Sequence, residues 1–204
     1  MSESSSDLVL LDVVSPGVGV VTLNKPDRLN AWSAAMSAAF FARLDEDRAN
    51  DDIRVVVVTG SGRGFCPGAD MDALNTIRAN PAGGAGAATG VGRFSDMLSY
   101  PKPIIAAING AVAGVGLVMA LFCDLRFAAS GVKFTTAFSR RGLIAEYGSS
   151  WMLPRLIGNA RALDLLLSGR VFTSEEAERL GVVNGVVDGE QLMPSVLAYA
   201  QDLP

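Results

Sequence analysis

The sequence predicts an α/β domain with a mainly parallel sheet, and three observations support this prediction. Residues 104–108 are apolar throughout and residues 53–59 are apolar except for Arg54 and Thr59; neither segment shows the alternation of a half-exposed strand, which indicates burial on both faces. Segments with helical spacing of apolar residues alternate with such strands along the chain. The chain has 204 residues, 50% of them hydrophobic, which suits one compact domain over residues 1–204.

The predicted strands begin with a hairpin. The turn signal Ser15-Pro16-Gly17 separates the first two β-type runs, and the polar segment 24–30 after them is predicted to be a loop. Glycine-rich turns follow the later apolar strands, at the carboxyl ends where parallel sheets place their sites. In chain order, the predicted strands are 8–14, 18–23, 53–59, 104–108, 124–128 and 185–187.

Helices are predicted where apolar residues recur at helical spacing. Ser33 is a candidate N-cap for the first of them, and the run Thr173-Ser174-Glu175-Glu176 resembles a capping box. The stretch 81–92 contains five glycines and four alanines and is predicted to be a loop. In chain order, the predicted helices are 34–48, 91–100, 114–122, 153–158, 160–167, 174–180 and 191–201.

The composition excludes several classes of function. The net charge is -4 and no basic block occurs, so we expect no nucleic-acid partner. The chain contains 0 histidines, so it cannot form a Ser-His-Asp triad or a histidine-ligated zinc site, and no metal is expected. Any general base must therefore be Asp, Glu, Lys, Tyr or Cys.

The same sequence indicates a cytoplasmic protein. Cys66 and Cys123 are far apart and form no CxxC motif, and residues 1–7 lack the basic and apolar regions of a signal peptide. The apolar run 104–125 is interrupted by Asn109-Gly110 and by further glycines, so it is predicted to be a strand, a turn and a helix. No membrane partner is therefore expected.

Two glycine-rich turns are the most informative feature of the chain. The two turns are Pro67-Gly68-Ala69-Asp70 and Ala113-Gly114-Val115-Gly116. Each follows an apolar segment and comes just before a position where a helix is predicted or could begin. Brought together, two such turns would present a pair of backbone N–H donors to an oxyanion, which points to chemistry on a carbonyl group. Tight packing of a helix on a strand is the alternative explanation for the same glycines.

Taken in order, these segments resemble the crotonase, or enoyl-CoA hydratase/isomerase, superfamily over nearly the whole chain. The resemblance implies the fold of that family, a ββα-superhelix in which mainly parallel strands stack in a spiral with helices around them. The matching segments are 24–26, 29–31, 55–60, 65–71, 101–110, 114–116, 123–124, 142–146, 153–158, 168–170 and 177–182.

The resemblance implies a site for an acyl-CoA thioester. The backbone N–H groups of Ala69 and Val115 would form the oxyanion hole, and coenzyme A would be part of the substrate, with no separate cofactor. Asp70 is also a candidate N-cap, and Lys25 and Arg28 are also candidate solvated surface residues. The residues assigned to substrate or coenzyme A are Lys25, Arg28, Leu29, Ala31, Pro67, Gly68, Asp70, Met71, Gly114, Leu143 and Trp151.

The family's two hydratase glutamates are both replaced here, by Val118 and Phe138. Glu146 lies instead in a segment similar to the Δ3,Δ2-enoyl-CoA isomerase branch, where a single carboxylate is the base. We therefore predict double-bond isomerisation with Glu146 as the catalytic residue. The alternatives are an enoyl-CoA hydratase of fatty-acid degradation that uses Glu146 alone, and a non-catalytic acyl-CoA binding paralogue. A surface glutamate favoured by a helix dipole is the structural alternative for Glu146.

The resemblance also implies a homotrimer or a hexamer formed from two trimers. Members of the family continue past the position of Pro204 into C-terminal helices that complete the assembly and the active site. We therefore expect that this helical segment is incomplete or missing in the sequence, and that any catalytic side chain it carries is absent with it.

Overall fold

The computed structural model describes residues 7–70 and 92–203. Met71 and the predicted loop at 81–92, apart from Gly92, lie outside the described residues. The described strands are β1 (Val9–Ser15), β2 (Gly17–Leu23), β3 (Ile53–Gly60), β4 (Gly64–Cys66), β5 (Ile104–Ile108), β6 (Ala111–Ala113), β7 (Leu125–Ala129), β8 (Lys133–Thr135), β9 (Phe172–Thr173) and β10 (Gly185–Val187). The described α-helices are α1 (Ala34–Arg48), α2 (Val115–Phe122), α3 (Ser149–Ile157), α4 (Asn159–Ser168), α5 (Ser174–Leu180) and α6 (Leu192–Gln201).

The larger of two sheets confirms the predicted mainly parallel arrangement. Its order is β1-β2-β3-β5-β7-β10, and every neighbouring pair is parallel except the β1–β2 hairpin. All five residues of β5 are buried, and Ile105 pairs with Val57 of β3 and with Leu125 of β7. The absence of alternation in the central strands therefore reflects cover on both faces.

The smaller sheet was not predicted from the sequence. Its order is β4-β6-β8-β9, and it is parallel except between β8 and β9. Each of its strands has only two or three residues, which is too short to show a period of two. The turns of the candidate site do lie at the carboxyl ends of parallel strands, as predicted, but these are the short strands β4 and β6 and not the long apolar strands β3 and β5.

From β3 to β8, strands of the larger and the smaller sheet alternate along the chain. A strand of the larger sheet is followed by one of the smaller sheet three times, as β3–β4, β5–β6 and β7–β8. Helix α2 follows β6 directly, and all eight of its residues are buried. This repeated path is the ββα-superhelix, so the fold implied by the resemblance is confirmed.

Most predicted helices form, with adjusted ends. Ser33 caps α1 by accepting a hydrogen bond from the Met36 N–H at 3.1 Å, and Thr173 accepts one from the Glu176 N–H at the start of α5. Helix α3 begins at Ser149, four residues earlier than predicted. In the predicted helix 91–100, the described part contains a 3-10 helix, Phe94–Ser99.

The apolar run at 104–125 forms a strand, β5, and a helix, α2, as predicted, with the short strand β6 between them, which was not predicted. Within the described residues, none of the helices combines the length and the apolar character that crossing a membrane requires.

Candidate active site

The two glycine-rich turns lie against each other because β4 and β6 are parallel neighbours. Cys66 at the end of β4 pairs with Val112 of β6, so both turns leave the same edge of the smaller sheet. A Cβ atom added at Gly68 would lie 3.1 Å from the Ala113 carbonyl oxygen, and one at Gly116 would lie 2.3 Å from the Cys66 carbonyl oxygen. The close approach of the two turns therefore requires glycine at both positions.

The Ala69 N–H faces away from the strand-like partner that fixes its turn. Trp32 forms a parallel bridge to Ala69: its N–H donates to the Gly68 carbonyl at 2.8 Å, and its carbonyl accepts from the Asp70 N–H at 2.9 Å. These bonds use the groups on either side of Ala69. Its own N–H has no backbone acceptor within the described parts of the chain, and Ala69 is one of the residues that line a pocket.

The Val115 N–H belongs to the first residue of α2. An N–H in this position has no acceptor within its helix and lies at the positive end of the helix dipole. Gly114, with φ +50°, turns the chain into the helix, and its N–H donates to the Thr135 carbonyl at 3.1 Å. The turn is thus fixed to β8 by the Gly114 N–H, and Val115 is one of the residues that line the pocket.

A pocket of about 200 Å³ brings these turns together with the segment around Glu146. Sequence reasoning did not single out Thr135 or Arg141 as lining residues. Thr135 lies in the unpredicted strand β8, and nothing in the sequence distinguishes Arg141 from the adjacent Arg140. The lining residues are Pro67, Gly68, Ala69, Ala113, Gly114, Val115, Thr135, Ala137, Phe138, Arg141, Leu143, Glu146 and Tyr147.

Glu146 is half-buried, and a turn and hydrogen bonds fix the backbone around it. Gly142 (φ +69°) ends the 3-10 turn Ser139–Arg141, and the Glu146 carbonyl accepts bonds from the Ser149 N–H at 3.0 Å and hydroxyl at 2.8 Å. Tyr147 has a left-handed backbone with φ +55°, which is uncommon for a bulky residue. Burial and then the Glu146 charge raise the Tyr147 pKa, so its hydroxyl stays protonated at neutral pH.

No second carboxylate accompanies Glu146 among the described lining residues. Val118 is buried within α2, and Phe138 is buried at the pocket wall, so the positions of the two hydratase acids are apolar. The Thr135 hydroxyl donates to the Gly169 carbonyl at 2.9 Å and accepts from the Ala137 N–H at 3.1 Å. Among the described lining residues, Glu146 is therefore the one whose carboxylate could exchange a proton with a bound ligand.

Trp151 lies outside the pocket lining, although the sequence grouped it with the substrate-binding residues. Its side chain is 45% exposed, and the Arg155 guanidinium lies 3.7 Å from its ring centroid. Leu143 does line the pocket.

The segment expected to contact coenzyme A is fixed to the first turn by a buried amide. Asn30 donates to the carbonyls of Gly64 at 2.7 Å and Ser61 at 3.0 Å, and it accepts from the Lys25 N–H at 2.8 Å. The Lys25 ammonium lies 3.8 Å from the Asp70 carboxylate. Leu29 and Ala31 flank Asn30, and Arg28 is exposed. The segment 25–31 is thereby held beside residues 61–70.

Comparison with known proteins agrees with this geometry. A family model described as enoyl-CoA hydratase/isomerase matches residues 14–204. The chain is 40% identical over 199 residues to a 1,2-epoxyphenylacetyl-CoA isomerase of Escherichia coli, which covers 95% of this chain and 75% of that protein.

Solved structures are similar along almost the whole described chain. An enoyl-CoA hydratase from Mycobacterium marinum has a TM-score of 0.81 and 49% identity, covering 96% of this chain and 88% of that one. A monofunctional enoyl-CoA isomerase from M. smegmatis has a TM-score of 0.79 and 37% identity, covering 96% and 84%. Since the family model spans nearly the whole sequence and these relatives share over a third of its residues, the chain belongs to the enoyl-CoA hydratase/isomerase family.

Proposed function

We propose that the chain moves a carbon–carbon double bond in an enoyl-CoA thioester, with Glu146 as the single proton carrier. The observation that supports this most strongly is the pocket lined by Ala69, Val115 and Glu146, in which Glu146 is the one carboxylate among the described lining residues. An isomerisation needs one group that removes a proton and returns it to another carbon, whereas the two-glutamate hydration needs a second acid.

The reaction proceeds in two proton transfers with no net change in atoms. The thioester oxygen accepts hydrogen bonds from the Ala69 and Val115 N–H groups, which acidifies the neighbouring α-carbon. The Glu146 carboxylate takes the α-proton, and the electron pair spreads over the dienolate onto the thioester oxygen. The Glu146 carboxyl then gives the proton to the γ-carbon, and the double bond moves into conjugation. One such amide donor stabilises the transition state by about 3 kcal/mol.

The coenzyme A moiety is assigned to the segment around Asn30 and to the first turn. Lys25 and Arg28 provide cations for its phosphates, and the backbone near Leu29, Ala31 and Pro67 provides a wall. Gly68 and Asp70 border the path from this segment to the Ala69 amide. Met71, which lies outside the described residues, stays in the proposal on the family resemblance.

The decisive experiment replaces Glu146 by glutamine, which keeps the size and removes the base. With a 3-enoyl-CoA, we expect Glu146→Gln to lower kcat by a factor of about 100 or more, because a positioned base contributes that much. The exposed Glu190→Gln is the matched control and should leave turnover unchanged. Full isomerase turnover in Glu146→Gln would exclude the proposed base.

Hydration is a second candidate, because the similar structure from Mycobacterium marinum is named an enoyl-CoA hydratase. Glu146 would then handle the water without a partner. Incubation with a 2-enoyl-CoA separates the two reactions, since hydration yields a 3-hydroxyacyl product and isomerisation does not. Tight binding of thioesters without turnover of either substrate would instead indicate an acyl-CoA binding protein.

We also propose that the chain assembles as a homotrimer or as a hexamer of two trimers. The support on the surface is a row of apolar side chains on and after α4. Leu163 and Leu167 are four residues apart on one helix face, and Val171 follows; each is more than half exposed. Apolar side chains grouped in this way commonly mark an interface.

A further inference from the structure

A second cavity, lined by aromatic rings, adjoins the pocket that contains Glu146. Its volume is about 290 Å³, and Tyr147 belongs to the lining of both spaces. Its aromatic lining residues are Trp32, Phe41, Phe94, Phe122 and Tyr147.

The rings form one connected group around Phe94. The Phe94 centroid lies 5.3 Å from that of Trp32, 6.4 Å from that of Phe122 and 6.2 Å from that of Tyr147. The Tyr147 ring is inclined at 61° to Phe94 and the Trp32 ring at 52°. Rings presented at such angles offer both faces and edges, which is what a further aromatic ring needs for offset or edge-to-face contacts.

The aromatic cavity is tied to the thioester pocket on two sides. On the amide side, the Trp32 backbone bonds Gly68 and Asp70, on either side of Ala69, while its ring lines the cavity. On the carboxylate side, Tyr147 follows Glu146 directly in the chain. An acyl group whose carbonyl lies at the Ala69 amide therefore has the aromatic cavity as its neighbouring space.

The size of the cavity fits a ring attached through a short linker. A dry cavity of about 150 Å³ is enough to hold benzene. The space here is about twice that size, which leaves room for the carbons between a ring and the thioester.

We propose that the aromatic cavity binds the acyl group and favours acyl groups that end in an aromatic ring, with Tyr147 as a specificity-determining residue. This inference rests on the proposed function, because it assumes that the ligand is a CoA thioester. Tyr147 supplies an inclined ring to the lining of both spaces, and this ring contacts that of Phe94 at a centroid distance of 6.2 Å. Specificity here comes from ring shape, since an aliphatic chain of equal carbon number lacks the edge-to-face contacts.

The test uses calorimetry to measure how tightly the full chain binds thioesters that lack an enoyl double bond and so cannot be isomerised. The ligands are phenylacetyl-CoA, cyclohexylacetyl-CoA, octanoyl-CoA and free CoA. We expect phenylacetyl-CoA to bind at least about fivefold more tightly than the cyclohexyl and octanoyl thioesters, the effect of one or two aromatic contacts. Equal affinity of the three thioesters, all tighter than CoA, would overturn the inference and leave the proposed function standing. Thioesters no tighter than CoA would overturn both.

Two variants assign the preference to this cavity. Tyr147→Phe keeps the ring and should keep the preference, whereas Tyr147→Leu should reduce it to less than about twofold. Phe41→Leu provides a second removal of a lining ring. Phe127→Leu is the matched control, because the Phe127 ring packs on Tyr199 at 5.3 Å and is not a lining residue of the cavity. A preference for phenylacetyl-CoA that survives both Tyr147→Leu and Phe41→Leu would overturn the assignment.

Discussion

Gly116 shows how one missing side chain determines the geometry of the site. It lies in the first turn of α2, and a Cβ atom there would lie 2.3 Å from the Cys66 carbonyl oxygen and 2.7 Å from the Cys66 sulfur. These atoms belong to the end of β4, so they cannot yield as a flexible side-chain end can. The two turns can therefore approach this closely only because position 116 carries no Cβ atom.

We expect Gly116→Ala to push α2 away from β4 and to lower the free energy of unfolding by about 1–3 kcal/mol, as overpacking does. Affinity for acyl-CoA thioesters should fall further than affinity for free CoA, because the Val115 amide moves with the helix. Thermal unfolding and calorimetric titration measure the two effects.

Gly189→Ala is the matched control. The nearest atom to an added Cβ there is 3.9 Å away, so its stability should stay within about 0.5 kcal/mol of the parent chain. Equal stability of Gly116→Ala and Gly189→Ala would show that the first turn of α2 is not constrained by Cys66.

At the scale of elements, the long strands were predictable and the short ones were not. Strand β5 formed at the predicted residues 104–108, because five consecutive apolar residues between turns have few other structures. Strands β4, β6 and β8 have three residues each and form through pairing with one another, which is information that no local window contains. The glycine turns revealed the site, but the sheet that carries them was found only in the structure.

Helix α5 is fastened to the turn between β7 and β8 by a charged hydrogen bond. The Gly131 N–H donates to the Glu175 carboxylate at 2.8 Å. This bond, followed by those from the Glu175 N–H and the Thr173 side chain, lowers the Glu175 pKa to about 2 from an ordinary value of 4.5. A carboxyl with a lowered pKa in the folded state stabilises that state above its unfolded pKa, and the stabilisation is lost as the pH falls through the folded pKa.

We therefore expect Glu175→Gln to destabilise the chain at pH 7. The difference in stability between the variant and the parent chain should narrow as the pH falls from about 4.5 towards 2. Thermal unfolding across this range measures this difference. Glu190→Gln, the same exchange at an exposed position, is the matched control. A difference in stability between Glu175→Gln and the parent chain that stays constant from pH 7 to pH 3 would contradict the role of the carboxylate charge.

At the scale of the whole molecule, the described surface leaves Leu163, Leu167 and Val171 exposed near one helix. We expect sedimentation of the full chain to show trimers or hexamers and the variant Leu167→Glu to shift the distribution towards monomers. The same substitution at an exposed leucine elsewhere, Leu98→Glu, should leave the assembly unchanged. A chain that sediments as a monomer at all concentrations would exclude the proposed assembly.

The whole-molecule view also shows why the candidate site was only partly predictable. Ala69, Val115 and Glu146 were named from the sequence, because their turns carry motifs that extend over several residues. Arg141 and Thr135 were not named, because their place in the pocket depends on how β8 and the following 3-10 turn fold against α4. Trp151 was assigned to the substrate from the sequence, but its ring packs against the Arg155 guanidinium and is not among the lining residues of the pocket.

The two amides at the pocket belong to the main chain, and this has an evolutionary consequence. A point mutation at position 69 or 115 changes a side chain and leaves the N–H group in existence, unless it introduces proline. If these amides polarise a thioester carbonyl, as proposed above, that ability is inherited with the path of the backbone. Under the same proposal, the reaction depends on a few side chains, among them those at positions 118, 138 and 146. A lineage with this fold can therefore exchange one reaction for another through very few substitutions.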